Sequence, residues 1–517
     1  MAPTRPDLNR VGKPTGLPWY AKDVEFCRPL NNNEIPIPFR MPSPMRTRVS
    51  AHRVDNEYID KYHLAVQLMK SLPDDDPRNF FQQASIHCAY CNGAYLMENT
   101  DKQFNVHSGW FFLPWHRWFL YFHERILADL LKDDTFALPF WNWDYEQGMT
   151  IPPMYLDDTL SLFDEKRNPN HHKSTIVDLG FNATRRKAAP PLSSQAQVGY
   201  NYRLMYKHVV SLARTTRAFH GAQIRKQSSS CTCAAGMLEI GPHNLVHDWI
   251  GSPVNKSCPC RSRTNTGTGT GSGNGDSCEQ TCHGENMGIL YSAARDPIFY
   301  AHHANIDRLW TVWKTLHGRE DYRDPSLLDT RFFFYDENKL LVSVRAGDAF
   351  DPDNLRYNYQ RCPTPWIHKP KYIDKPTDIL LHGNPSIPLR KPPLDFTEPV
   401  KILVDRRFPE EQLLIEGIRV QRNIAVKFDI FINLDDALLA VSYVDTLPRE
   451  FAGTFHEAPQ GTTADVERGC GQSSLCVGIS EVLSDLNVEE EETSIVVTLV
   501  PKVELEEPIK ISDIRMV

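Results

Sequence analysis

Histidines set inside aromatic segments at helical spacing constrain the fold of this 517-residue chain more than any other feature. His243 and His247, in IGPHNLVHDWIG, stand four residues apart, so a helix carries both imidazoles on one face at a reach suited to one metal ion. His87 in IHCAYCNGAY, His107 in FNVHSGW and His116 in FFLPWHRWFLYFHER lie among aromatic residues, where an imidazole is buried, paired or coordinating. His302 and His303 open HHANIDRLW, and Asp307, one turn beyond His303, is placed to accept a ring N–H from it, as partners of metal-bound histidines do. A histidine alone is more often a surface or hydrogen-bonded structural residue, and only the grouping changes that reading. Two groups of three, with no thiolate or carboxylate assigned beside them, fit two borderline-soft ions in neutral imidazole sites, with copper and zinc the chief candidates.

Apolar residues recur at three and four over 56–72, 116–132, 201–214 and 303–317, which predicts a mainly helical domain over 56–361. Residues 1–55 precede it as an extended, proline-rich N-terminal arm over the surface. The segment 254–286, with TNTGTGTGSGNGDS between cysteines, cannot pack a core and reads as an inserted surface loop. Eight prolines between Cys362 and Pro393 mark 362–394 as a linker. Beyond it, 395–517 holds the β-branched runs VKILVD, VKFDIFINL, ALLAVSYVDTL and TSIVVTLVPKVEL, the pattern of an antiparallel β-sandwich.

Composition removes several classes of function. With 41% hydrophobic and 24% charged residues the chain is neither disordered nor fibrous. No run approaches the ~20 apolar residues of a transmembrane segment. Lys plus Arg total 57 against 65 Asp plus Glu, a net charge of −8, so the basic excess of a nucleic-acid partner is missing. Twelve cysteines, six of them within 231–282, point to an oxidising compartment. The opening MAPTRPDLNR has neither the apolar stretch of a secretory signal nor a transit-peptide pattern, so no targeting peptide is expected in this chain.

IHCAYCNGAY, HSGWFFLPWHRWFLYFHERIL, FALPFWNWD, PHNLVHDW and ARDPIFYAHHANIDRLW together resemble the plant polyphenol oxidases, the tyrosinases and catechol oxidases with a coupled binuclear (type 3) copper centre. KFDIFIN at 427–433 and YNY at 357–359 resemble that family's C-terminal motifs. The resemblance implies a four-helix bundle housing two copper ions. His87, His107 and His116 would hold one, and His243, His247 and His303 the other, leaving His302 structural. It also implies a thioether between Cys91 and His107, and then a Cys27–Cys88 disulfide stapling the arm. The implied chemistry is oxidation of small phenolic substrates by O2, o-diphenols to o-quinones, with ortho-hydroxylation of monophenols beside it. Glu239 matches the family's water-holding carboxylate and Asn244 the residue that orients that water, together a water-mediated general base. A helix-capping Glu and a surface Asn are the plain alternative. The resemblance further implies latency, with the C-terminal domain shielding the site until an activating protease cuts the linker or the domain is displaced. A loop near Phe455, in GTFHEAPQG, is expected to reach into the pocket. The implied location is the plastid, within it the thylakoid lumen, with the vacuole or secretory pathway as alternatives.

Several positions depart from the family pattern. Leu290 stands thirteen residues before His303, where the family commonly has Phe, so larger phenols should be tolerated. Asp248 adds negative charge at the pocket rim, either assisting proton removal or disfavouring acidic phenols such as hydroxycinnamates. Cys231, Cys233, Cys258, Cys260, Cys278 and Cys282 are expected in disulfides, a small zinc site being the rival reading. Cys470 and Cys476 are expected as a local pair and Cys362 is left over. Two further readings stand beside the oxidase: an aurone-synthase-like hydroxylase or oxidase of one larger plant metabolite, and haemocyanin-like O2 binding without turnover.

Overall fold

A computed structural model gives the fold over residues 4–12, 35–39, 44–171, 174–181, 192–222, 233–251, 286–318, 321–370, 387–406, 411–421, 424–434, 447–458 and 472–517. The first part is built on helices α1 (Asn56–Lys70), α2 (Phe80–Cys91), α3 (Phe112–Leu131), α4 (Ser194–Met205), α5 (Thr216–His220), α6 (Asn244–Gly251) and α7 (Ile298–His317). The Asp55 side chain accepts the Tyr58 N–H and so starts α1, which buries Tyr62, Ala65, Val66 and Met69. α3 is buried continuously from Phe112 to Ala128, as befits a helix enclosed on all sides. It begins four residues before the expected start because Pro114 falls within the first turn, where a missing N–H costs nothing. α7 likewise begins at Ile298 rather than 303, directly after Pro297. The pattern at 201–214 divides into the end of α4 and a π-helical turn over Tyr206–Ser211. No described helix is long and apolar enough to cross a membrane.

The end of the arm runs through the interior rather than over the surface. Arg46–Arg48 pairs in parallel with Tyr357–Tyr359, and Arg46 and Arg48 each reach Glu124 of α3 at 2.9 Å. Asp307 of α7 receives Arg117, Arg48 (3.3 Å), Tyr357 (2.6 Å) and Tyr359. Buried charges of this kind persist only when each has a partner, and truncating one leaves the other stranded. Trp366, within the expected linker, is also buried and donates Nε1–H to Asp144 at 2.9 Å.

The C-terminal part stacks a five-stranded sheet, in the order Phe451–Glu457, Val426–Ile432, Ser494–Pro501, Val400–Asp405, Leu389–Arg390, against a four-stranded sheet ordered Asp513–Met516, Gln412–Ile418, Ser473–Gly478, Cys233–Ala235. The sandwich is not purely antiparallel. Leu389–Arg390 joins its sheet in parallel, and so does Cys233–Ala235, which comes from the helical part and covers an edge that would otherwise expose unpaired backbone groups. The strand expected at ALLAVSYVDTL falls mostly outside the described residues. Val426–Ile432 is buried at every position because both of its faces are covered, one by the sandwich and one by the helical part.

Cys88 is disulfide-bonded, while Cys91, Cys362 and Cys476 are free. The expected Cys470–Cys476 pair is therefore not formed. The Cys476 thiol is buried among strands, donates to Gln412 Oε1 at 3.3 Å, and burial raises its pKa to about 11. Cys27, Cys231, Cys258, Cys260, Cys278, Cys282 and Cys470, and with them most of the expected insertion, lie outside the described residues.

Candidate dinuclear metal centre

Four helices and two connections bring the histidines together. His87 comes from α2, His116 from α3, His247 from α6 and His303 from α7. His107 precedes α3, and His243 closes a π-helical turn (Glu239–His243) leading into α6. Each of the six is at most 4% exposed. Donor atoms of His87, Cys91 and His107 lie within 4.8 Å of one another, as do those of His243, His247, His302 and His303. Ring centroids of His87, His107 and His116 stand 5.1 to 5.5 Å apart. The two groups abut, His116 stacking on His303 with centroids 4.4 Å apart and planes at 12°.

Hydrogen bonds settle which ring nitrogen faces inward. Nδ1 of His116 donates to the Phe112 carbonyl (2.7 Å), Nδ1 of His247 to the Met287 carbonyl (2.9 Å) and Nδ1 of His243 to Asn244 Oδ1 (2.9 Å). Each bond requires the proton on Nδ1 and turns a lone pair inward on Nε2. Met287 reaches His247 because Gly251 and Gly288 touch backbone to backbone: a Cβ on Gly251 would lie 1.9 Å from the Gly288 nitrogen. His303 Nε2 is 3.3 Å from His243 Nε2 and 3.2 Å from His247 Nε2. Neutral imidazole lone pairs converging at that distance repel unless a cation lies among them. Metal–nitrogen bonds of about 2.0–2.1 Å in a tetrahedral array space their donors about 3.3 Å apart. In the other group, both ring nitrogens of His107 and Nε2 of His116 are buried without a hydrogen bond. Burial, then neighbouring imidazoles, hold His87, His107, His116, His243 and His303 well below the usual histidine range, and burial takes His247 to about 4, so all six are in the neutral, ligating form. The residues thus fit two borderline-soft metal ions.

His302 accepts the Trp143 indole N–H on Nδ1 at 3.0 Å, so its proton sits on Nε2 and no lone pair is left there. Asp307 does not touch His303, whose Nδ1 makes no hydrogen bond; Arg117, Arg48, Tyr357 and Tyr359 have taken the carboxylate instead. Cys91 is a free, buried thiol whose pKa is pushed up by burial and by Glu239, and its sulfur lies within 4.8 Å of a His107 ring nitrogen.

A small cavity of about 20 Å³ opens beside His107 of the first group, lined also by Glu239, Asn244, Leu290, Phe455 and His456 among others. That volume holds about one water molecule. Glu239 Oε1 accepts the Ser108 N–H at 2.6 Å, while Oε2 is buried with no hydrogen bond. Burial, partly offset by the Ser108 and Gly109 N–H groups, raises Glu239 to about 8. Asn244 donates from Nδ2 to the His456 carbonyl at 2.7 Å, which ties the site to the C-terminal sheet. Phe455 and His456 belong to a strand, Phe451–Glu457, rather than to a loop. Phe455 stacks on Phe428 (4.9 Å, 14°), and His456 Nε2 stands 3.6 Å from Asp248 Oδ2. Sequence reasoning missed His456 although it adjoins Phe455. It also missed the Phe112 and Met287 carbonyls. The first was open to the i−4 rule on α3, while the second is reached across 254–286 and left no sequence signal.

A helical bundle that gathers two triads of neutral histidines, covered by a β-sandwich, defines the class as that of a dinuclear histidine metalloprotein. Residues 77–316 match the common central domain of tyrosinase, 321–371 the polyphenol oxidase middle domain, and 401–517 the chloroplastic polyphenol oxidase C-terminal domain. The chain is 38% identical to a chloroplastic polyphenol oxidase of Vitis vinifera over 96% of its own length and 79% of that protein's. The solved latent aurone synthase, a polyphenol oxidase, superposes with TM-score 0.82 at 32% identity, covering 100% of this chain and 99% of that one. The Grenache (Vitis vinifera) polyphenol oxidase superposes with TM-score 0.62 at 42% identity, covering 71% of this chain and all of that one. The chain belongs to the plant polyphenol oxidases and is an enzyme.

Proposed function

We propose that this enzyme oxidises o-diphenols to o-quinones with dioxygen, two catechols and one O2 giving two quinones and two waters, at a dicopper centre. His87, His107 and His116 hold one copper, and His243, His247 and His303 the other. The observation that carries this reading is the convergence of three Nε2 lone pairs at 3.2–3.3 Å, with a second buried triad stacked against it. The coppers supply the two-electron relay between catechol and dioxygen. The chain's own residues bind the phenol and move its protons. Glu239, with one oxygen held by Ser108 and the other turned to the water-sized cavity, accepts the phenolic proton through a water that Asn244 orients once the sheet is withdrawn. Its proton affinity near neutrality suits a base that takes a proton from a phenol of pKa about 10 and passes it on. Hydroxylation of monophenols follows from the same base.

The C-terminal sheet supports latency, because Phe455 and His456 line the cavity and His456 occupies Asn244. A protease acting between Trp366 and Leu389 is the proposed activator. Cys27 is the proposed partner of Cys88, and a Cys91–His107 thioether is supported by their proximity. Relatives named chloroplastic favour a plastid, with its thylakoid lumen as the finer assignment. A second reading, an enzyme for one larger phenolic metabolite, rests on Leu290, which lies in the cavity wall where a smaller side chain widens the entrance. The test is copper quantification followed by O2 uptake with a monophenol, a small catechol and a bulky catechol, before and after limited proteolysis. Two coppers per chain and catechol-dependent O2 uptake are expected; a copper-loaded, uncovered enzyme that consumes no O2 with any catechol would sink the reading.

A further inference from the structure

Four imidazoles, not three, crowd the second group. The His302 ring centroid stands 5.4, 4.9 and 5.3 Å from those of His243, His247 and His303, while these three are 4.6 to 5.4 Å from one another. His302 is wholly buried, and a donor atom of each of the four lies within 4.8 Å of the others. Distance therefore does not keep it from a metal ion. What does is the Trp143 indole. Its N–H takes the Nδ1 lone pair at 3.0 Å and leaves the proton on Nε2, which faces the His243 main chain without completing a hydrogen bond. Neither ring nitrogen then has a lone pair to give.

The chain around the indole is fixed to α7 on either side. Trp141 donates its main-chain N–H at 2.9 Å to the carbonyl of Ala301, the residue before His302. Asp144 accepts Arg308 on both oxygens at 2.6 Å and Asn305 at 3.0 Å. Trp143 lies wholly buried between these anchors, so its main chain cannot leave His302 without breaking a buried ion pair.

Resting on the oxidase reading, we propose that Trp143 is a positioning residue that holds His302 out of the coordination sphere, so that the second site keeps three imidazoles and an open position. Without the indole N–H, His302 is free to exchange tautomers and offers a lone pair as a fourth ligand. Metal sites that turn over keep a position free, whereas a closed set of four protein ligands is structural. Trp143 thus acts only through His302.

Trp143→Phe keeps an aromatic ring and removes the N–H. Combined with His302→Leu, it removes the competing imidazole as well and leaves no buried donor unpaired. In the copper-loaded full chain, Trp143→Phe should release its second copper to graded chelator about tenfold more slowly than wild type. Once the site is uncovered by limited proteolysis and mild detergent, azide, a small anion that needs an open copper position, should bind about tenfold more weakly, read by its charge-transfer absorption. The kcat for a small catechol should fall about tenfold, with KM changed less. The double variant should return all three to within about twofold of wild type. A merely structural Trp143 does not allow that rescue, because the second substitution would add to the loss. Trp143→Phe that binds azide as wild type does, or releases copper as fast or faster, overturns the proposal, and so does a double variant as impaired as the single one. If copper-loaded wild type oxidises no catechol the oxidase reading fails, while azide and chelator still decide whether His302 enters the second site.

Discussion

Glu239 shows how one buried side chain links stability to chemistry. Burial places its pKa near 8, above the ordinary 4.5, so in the copper-free protein folding favours the neutral acid. The native state then binds more protons than the unfolded one between these values. Stability tied to this group is complete below about pH 4.5 and lost as pH rises through 8. Copper-free Glu239→Gln should therefore match wild type near pH 4.5 and exceed it at pH 8.5 by about 2–4 kcal/mol in chemical denaturation; parallel stability curves would show that the carboxylate is not so buried. In the copper-loaded enzyme the same change should lower monophenol hydroxylation by about 10²-fold or more and catechol oxidation far less, measured as separate kcat values. At this scale the histidines were legible because their spacing and aromatic surroundings leave few other roles. The role of Asp307 was not, because two arginines and two tyrosines distant in sequence reach it before a histidine four residues away can.

Among the elements, the contact between the end of α6 and the turn at Asn286–Gly288 orients the ligand His247. The Met287 carbonyl fixes the His247 tautomer only because Gly251 and Gly288 approach without side chains. Gly251→Ala should force the two apart, lower stability by about 1–3 kcal/mol and weaken copper retention at the second site about 10- to 100-fold. Dialysis against graded chelator, with copper counted per chain, measures this; loss of one copper before the other is the expected result, and retention of both equal to wild type overturns it. Helices α1, α3, α7 and the end of α4 were legible from apolar recurrence alone, whereas α2 (Phe80–Cys91), buried on nearly every face, was not. The π-helical turn over Glu239–His243 was not, since it depends on a non-helical Gly241 (φ −96°, ψ −107°) followed by Pro242, and a Cβ on Gly241 would meet the His208 ring at 2.4 Å. That turn nevertheless sets Glu239 and His243 in the same site.

For the whole molecule, the linker is not all that joins the two parts. The strand Cys233–Ala235 belongs to the helical part by sequence and to the sandwich by hydrogen bonding. Gly478 donates its N–H to the Leu212 carbonyl at 3.0 Å. Glu481, buried at the boundary, accepts Tyr206 Oη–H on its two oxygens at 2.9 and 3.0 Å and the Arg214 guanidinium at 2.9 Å. The sequence marked the proline-rich linker plainly but gave no sign of this joint, because short strands and single carbonyls carry no periodicity. Cutting the linker between Trp366 and Leu389 should therefore leave both fragments in one particle on size-exclusion chromatography, with low activity, until mild detergent separates them. Glu481→Gln keeps the shape of the side chain and removes its charge, at a cost of about 1–3 kcal/mol for the charged hydrogen bonds. After nicking, this variant should release its C-terminal fragment at lower detergent concentration than wild type, with activity appearing in step with release. Full activity from nicked wild-type protein whose fragments still co-elute would show that strand Phe451–Glu457 does not close the pocket, and that latency must lie elsewhere.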